Sequence, residues 1–271
     1  MNHIHRALAV LGIVTLLGGG LSPAVYAYTQ LPPTLVAQEN AEDFLRQGLE
    51  KYERQDYRGA IADFSQAIRL NPKYTAAYEN RGNARDELGD TQGAIDDYAK
   101  AIELDPRNYS VYYNRAIVYE KLKDNQAALA DYNRSLELNP NFDRAYFRRA
   151  DLRDNLQDFK GALDDYNRFI RANPTVAVGY LKRGIVLAQL EDYRSAIADY
   201  DKAIEIAPNY GEAYYNRGLA RLQAGEKNKK LLLDDFQKAA NIYQKEGKTE
   251  YYQDALQRIR EIQQSNPGPV S

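Results

Sequence analysis

Two histidines, His3 and His5, and one methionine, Met1, stand in the first five residues. The 271-residue chain has no other His or Met and no Cys. Arg6 is the only charge before Glu39, and the apolar run Ala7–Leu21 follows it. That run falls short of the roughly 20 apolar residues of a membrane span and fits the hydrophobic region of an export signal. Val25 and Ala27 then occupy the −3 and −1 positions of a cleavage after Ala27. The expectation is an export signal over residues 1–27, its removal leaving Tyr28–Ser271. If uncleaved, the segment would serve as a membrane anchor. Without Cys there is no lipid attachment site. The mature chain would hold no His, Cys or Met, which excludes Ser-His-Asp and Cys-His nucleophiles, His or Cys ligands for zinc, and c-type haem attachment.

The remaining candidates for chemistry are carboxylates. Asp96-Asp97, Asp164-Asp165 and Asp234-Asp235 are adjacent pairs. An acid/base pair must face one cleft, whereas neighbours on a helix point about 100° apart. These pairs are therefore expected to be solvated or matched by Arg. No Gly-rich phosphate loop and no D-x-D-x-D-G calcium loop occurs. The net charge of −2 carries no basic excess for nucleic acid. Asn133-Arg134-Ser135 matches a glycosylation sequon but falls in a predicted helix. The expectation is a non-enzyme with no catalytic residue, no cofactor and no metal.

What organises the chain is a period. Pro72, Pro106, Pro140, Pro174 and Pro208 are spaced by 34 residues. With Pro at position 32, repeats cover 41–74, 75–108, 109–142, 143–176 and 177–210, and a sixth covers 211–244. Position 4 is aromatic: Phe44, Tyr78, Tyr112, Tyr146, Tyr180, Tyr214. Position 24 is aromatic too: Phe64, Tyr98, Tyr132, Tyr166, Tyr200. Position 8 is small throughout, from Gly48 to Gly218, and position 20 is Ala from Ala60 to Ala196. Position 27 is small except at Phe169. Small residues at 8, 20 and 27 let two helices approach, and the aromatics fill the space between successive pairs. The pattern predicts helix A near positions 1–14 and helix B near 18–31, ended by a proline that cannot continue the helix. No single pair buries its own apolar face, so stacking supplies the core.

These residues resemble the tetratricopeptide repeat over residues 41–244. The resemblance implies an all-α fold, a right-handed α-solenoid of six helix pairs. The family's Trp at position 4 is Tyr or Phe here, and its Leu at position 7 is Arg81, Arg115, Arg149, Arg183 and Arg217. Asp63, Asp97, Asp131, Asp165 and Asp199 recur at position 23 of the facing helix. An Arg–Asp pair within or between repeats is the expectation, with an anion-binding Arg row as its alternative. Repeat six needs two inserted residues to align Asp235-Phe236. A C-terminal capping helix is expected over 248–264, with Tyr251, Ala255, Ile259 and Ile262 on one face. Residues 28–40 read as a linker and 265–271 as a disordered tail.

The same resemblance implies a non-catalytic scaffold for protein–protein interaction, with an extended segment of a protein or peptide partner held in a concave groove lined by the A helices. The groove positions it implies are mainly 2, 5, 6, 9, 12 and 13. Position 5 carries Tyr113, Phe147, Leu181 and Tyr215, and position 9 carries Ile117, Ile185 and Leu219. These either line the groove or pack between helices. At position 6, Asn80, Asn114 and Asn216 resemble the asparagine ladder of O-linked N-acetylglucosamine transferase, with Arg148 and Lys182 interrupting it and favouring an acidic segment. A carboxamide can bond a passing backbone without reading its sequence. The carboxylate clamp of chaperone-binding members is not matched, since Leu45 and Leu49 stand where its Lys and Asn would be. An envelope or membrane complex in the periplasm is the expected setting, or the thylakoid lumen of a photosynthetic host. Binding of a small ligand, glycan or lipid in the same groove is the alternative.

Overall fold

The structure is a computed structural model that describes residues 40–264; the signal, all of the linker but Asn40, and the tail lie outside them. Among the described residues there are thirteen helices and no strand. Six pairs follow one another: α1 (Ala41–Glu53) with α2 (Tyr57–Leu70), α3 (Thr75–Glu87) with α4 (Thr91–Leu104), α5 (Tyr109–Lys121) with α6 (Asn125–Leu138), α7 (Asp143–Asn155) with α8 (Phe159–Ala172), α9 (Ala177–Gln189) with α10 (Tyr193–Ile206), and α11 (Gly211–Gln223) with α12 (Lys229–Lys245). A final helix, α13 (Thr249–Gln264), packs on α12. The result is an all-α solenoid of six repeats with an extra C-terminal helix. No described helix is long and apolar enough to cross a membrane.

Each A helix covers positions 1–13 and each B helix in repeats one to five covers 17–30, a residue or so earlier than the apolar pattern suggests. The turn between them sets these limits. Position 15 is left-handed in every repeat: Gln55, Gly89, Lys123, Gln157, Glu191 and Gly225 have φ between 60° and 79°. The next residue caps helix B. Asp56, Asp90, Asp124, Asp158 and Asp192 each accept a hydrogen bond from the backbone N–H three residues on, at 3.0–3.1 Å. This satisfies one of the orphan donors at the helix start. Asn228 caps α12 in the same way.

Core composition follows the repeat. The position-20 alanines are fully buried, and so are the position-24 rings Phe64, Tyr98, Tyr132, Tyr166, Tyr200 and Phe236. The position-8 glycine permits this contact: a Cβ on Gly184 would stand 2.7 Å from the Tyr200 ring. Phe169, the large residue at a small position, is accommodated by the facing helix, where Gly179 leaves only 2.9 Å between an added Cβ and its ring. The position-4 rings differ from the expectation of plain core. All but Tyr112 are half-buried, and from Tyr78 to Tyr214 each lies beneath an arginine.

Candidate partner-binding groove

Those arginines sit at position 7, and their roles are structural. Arg81, Arg115, Arg149 and Arg183 each bond both oxygens of the position-23 Asp in their own repeat, at 2.6–2.9 Å. Arg217 does the same to Asp235 across the two-residue insertion. Asp97, Asp165 and Asp235 receive a second arginine from position 11: Arg85, Arg153 and Arg221. Most position-7 arginines also reach the preceding B helix. Arg81 donates to Ser65 Oγ, Arg149 to Asn133 Oδ1, Arg183 to Asn167 Oδ1 and Arg217 to Asp201 Oδ1, at 2.5–3.1 Å. Each of these four guanidiniums therefore closes its own helix pair and ties it to the pair before. Burial works against the charge of Arg115, but the hydrogen bond and charge of Asp131 outweigh it and raise its pKa. The alternative of an anion-binding Arg row is corrected accordingly, since bidentate carboxylates already occupy these donors.

The A helices present the other face. Tyr98, Tyr132 and Tyr166 extend their hydroxyls from the core to it. Tyr98 donates to Asn83 Oδ1 at 2.7 Å, Tyr166 to Asp151 Oδ1 at 2.6 Å, and Tyr132 to Glu120. Burial, reinforced by the neighbouring carboxylates, pushes all three hydroxyls well above the ordinary phenol range, so they remain neutral donors. Asn114 Nδ2 bonds Asn83 Oδ1 at 3.2 Å, and Lys121 Nζ bonds both oxygens of Asp86 at 2.7–2.8 Å. These residues border an open cleft of 330 Å³ across repeats one to three, completed by Tyr52, Glu87 and Ile117.

The twelve residues expected to line the groove separate into groups. Asn114 and Ile117 stand together in that cleft. Phe147, Lys182, Arg148 and Ile185 are half-buried along the A helices of repeats four and five. Tyr113 and Phe147 pack their rings on helix-B and loop aromatics: Tyr113 on Phe142 at 4.8 Å, and Phe147 on Phe169 at 4.8 Å and on Tyr166 at 5.9 Å. Both therefore belong partly to the core. Leu181 is corrected outright: it is fully buried among Ala196, Tyr200 and Ala213. Tyr215 and Leu219 are half-buried, partly covered by the C-terminal helix. Both pack with Ile259 and Ile262, and the Tyr215 hydroxyl bonds Asp254. In that helix Ala255, Ile259 and Ile262 are buried as expected, whereas Tyr251 is 59% exposed. Asn80 and Asn216 do not form a ladder. Each donates to a carbonyl of its own helix, Ala76 O and Glu212 O, at 2.8 Å.

The two mid-groove cations are matched as well. Arg148 lies 3.4 Å from Glu120 and Lys182 lies 3.4 Å from Asp151, each on the preceding A helix. They no longer mark the groove for an acidic segment. Position 12, one of the implied groove positions, carries a carboxylate in three successive repeats, Asp86, Glu120 and Asp154, at the 34-residue period. Arg148 Nε and Asp154 Oδ1 are shut from solvent without a hydrogen-bond partner. Burial, with the nearby charge of Asp151, raises the Asp154 carboxyl pKa against the pull of Lys182.

Family models described as tetratricopeptide repeat match residues 45–109, 109–142 and 144–175, and one described as TPR repeat matches 186–225. The chain belongs to the tetratricopeptide repeat family. Among solved structures it is similar to MamA, with 26% identity over 64% of this chain and 94% of that one and a TM-score of 0.59. It is also similar to YrrB, a TPR protein with an unusual peptide-binding site, at 24% identity over 66% and 92% with a TM-score of 0.57. A tetratricopeptide repeat protein from Parabacteroides merdae aligns at 22% identity over 84% and 94% with a TM-score of 0.62. The last two likenesses concern the fold. No curated protein matches the chain.

Proposed function

We propose that this chain is a non-catalytic interaction scaffold that holds an extended segment of a protein partner along the A-helix face of repeats one to five. The observation that carries the reading is the open cleft bordered by Tyr52, Asn83, Asp86, Glu87, Asn114 and Ile117. It offers an apolar side chain, an aromatic ring, amides and carboxylates within one concavity, the mixture that positions a peptide. At the groove positions of repeats one to five, Glu42, Glu53, Glu79, Asp86, Glu87, Glu120, Asp151 and Asp154 outnumber Arg46, Lys121, Arg144, Arg148 and Lys182. The favoured segment therefore carries basic and apolar side chains, the reverse of the acidic one first expected.

A random peptide library selected on the full chain tests this. Enriched peptides should be rich in Lys or Arg and should lose about tenfold in affinity, 1.4 kcal/mol, on Glu87→Lys. They should be insensitive to Lys238→Glu on the exposed side of α12. Equal binding to both variants contradicts the reading. Its setting is an exported one, in assembly or maintenance of an envelope complex, and this part rests on the apolar run Ala7–Leu21 and the Val25-Tyr26-Ala27 site. The mass of the protein recovered from its host should correspond to Tyr28–Ser271, whereas an intact N-terminus would mean that the segment is kept as an anchor.

A further inference from the structure

A second concavity lies at the C-terminal junction, where the start of α11, the end of α12 and the start of α13 meet. Its volume is 260 Å³, and it is lined by Tyr210, Tyr243 and Tyr251, by the carboxylates Glu212 and Glu246, and by Lys248. Gly211 makes room for it. A Cβ there would stand 3.0 Å from the Tyr243 ring and 3.1 Å from Ile242, so this position brings backbone against the ring. The Tyr243 and Tyr251 rings have centroids 5.4 Å apart with 39° between their planes, splayed rather than stacked. Tyr243 is buried, while Tyr251, at 59%, is the most exposed large hydrophobic side chain among the described residues.

The charges around these rings are unequal. Lys248 Nζ sits 2.9 Å from Glu246, so that pair is matched. Glu212 forms no ion pair among the described residues, and its field reaches Tyr210, Tyr243 and Lys248. Glu246 caps the C-terminal end of α12, where the backbone dipole also favours positive charge. Burial and then Glu212 push the Tyr210 hydroxyl up to about 12, and the same two influences raise Tyr243. The Tyr210 and Tyr243 phenols therefore stay neutral.

Tyrosine rings around a void, beside a carboxylate without an ion pair, are an arrangement that attracts an organic cation. A metal ion is a poorer fit, since phenol faces supply it no ligand and only one free carboxylate is at hand. We propose that this junction pocket binds an organic monocation, with its ammonium or guanidinium head lying among the tyrosine rings and against Glu212. The head could belong to a Lys or Arg side chain of another protein or to a free quaternary amine. The site is independent of the groove in repeats one to five.

Calorimetric titration of the full chain tests it with choline, with its neutral carbon isostere 3,3-dimethylbutan-1-ol, and with blocked Gly-Lys-Gly and Gly-Arg-Gly peptides. At least one cation should bind about tenfold more tightly than the isostere. Tyr251→Leu should weaken that cation by about 2- to 5-fold, the worth of one exposed ring. Glu212→Gln should weaken it as well, while Lys248→Met should tighten it by removing a like charge. Tyr251 and Glu212 are exposed, so the helical melting curve should not move. Preference for choline identifies a free amine as the source, and preference for a peptide identifies a protein side chain. Failure of every cation to bind overturns the proposal, as does an isostere that matches the cations or binding indifferent to Tyr251→Leu and Glu212→Gln.

Discussion

Asp97, Asp165 and Asp235 each hold two arginines, whereas Asp131 and Asp199 hold one. Residue 11 of the repeat makes the difference, being Arg85, Arg153 and Arg221 in one set and Tyr119 and Leu187 in the other. A buried carboxylate stripped of its only cation is expensive, while one that keeps a second is not. Arg115→Met, which leaves Asp131 without an arginine, should therefore cost about 3 kcal/mol. Arg149→Met should cost roughly half of that, because Arg153 stays on Asp165. Urea unfolding of the two variants, followed by far-UV circular dichroism, checks the order, and equal losses would show that position 11 adds nothing. The Arg–Asp pairing was readable from type and spacing alone. The second arginine and the link to the preceding B helix were not, because they depend on how far a guanidinium reaches once helices are stacked.

The helix pair is defined as much by its turn as by its apolar face. Apolar spacing locates the two helices but overruns the C-terminal end of each by a residue and starts helix B a residue late, since it is blind to a left-handed residue followed by a cap. Asp56, Asp90, Asp124, Asp158 and Asp192 recur at the 34-residue period and could have fixed the start of each B helix. The left-handed site is filled by Gly89 and Gly225 in two repeats and by Gln, Lys or Glu in four. A side chain there costs about 1–2 kcal/mol, and glycine returns about 0.5–1 kcal/mol of that as unfolded-state entropy. Lys123→Gly should thus stabilise the chain by up to about 1 kcal/mol. A melting temperature that falls instead would mean that the Lys123 side chain contributes something its exposure hides. Phe169 shows the opposite limit of pattern reading. It breaks the small-residue rule at position 27, and its compensation, Gly179, stands ten residues away on another helix.

At the level of the whole molecule, the solenoid was legible because its period repeats five times, and a binding face was less so because it has no period of its own. The resemblance implies groove positions along the A helices, yet which of them stay open depends on neighbours that the repeat does not encode. Leu181 disappears beneath α10 and α11, the capping helix partly covers Tyr215 and Leu219, and Arg148 and Lys182 are matched by acids one repeat earlier. What remains is a polar and acidic face in repeats one to four, which under the proposed function favours a basic, partly apolar segment. Hydrogen exchange of the full chain with and without a library-selected peptide tests this most directly. Slowed exchange should concentrate on α3, α5 and α7 and spare α4, α6 and α8. Protection confined to the B helices, or spread evenly over both sets, would contradict the account.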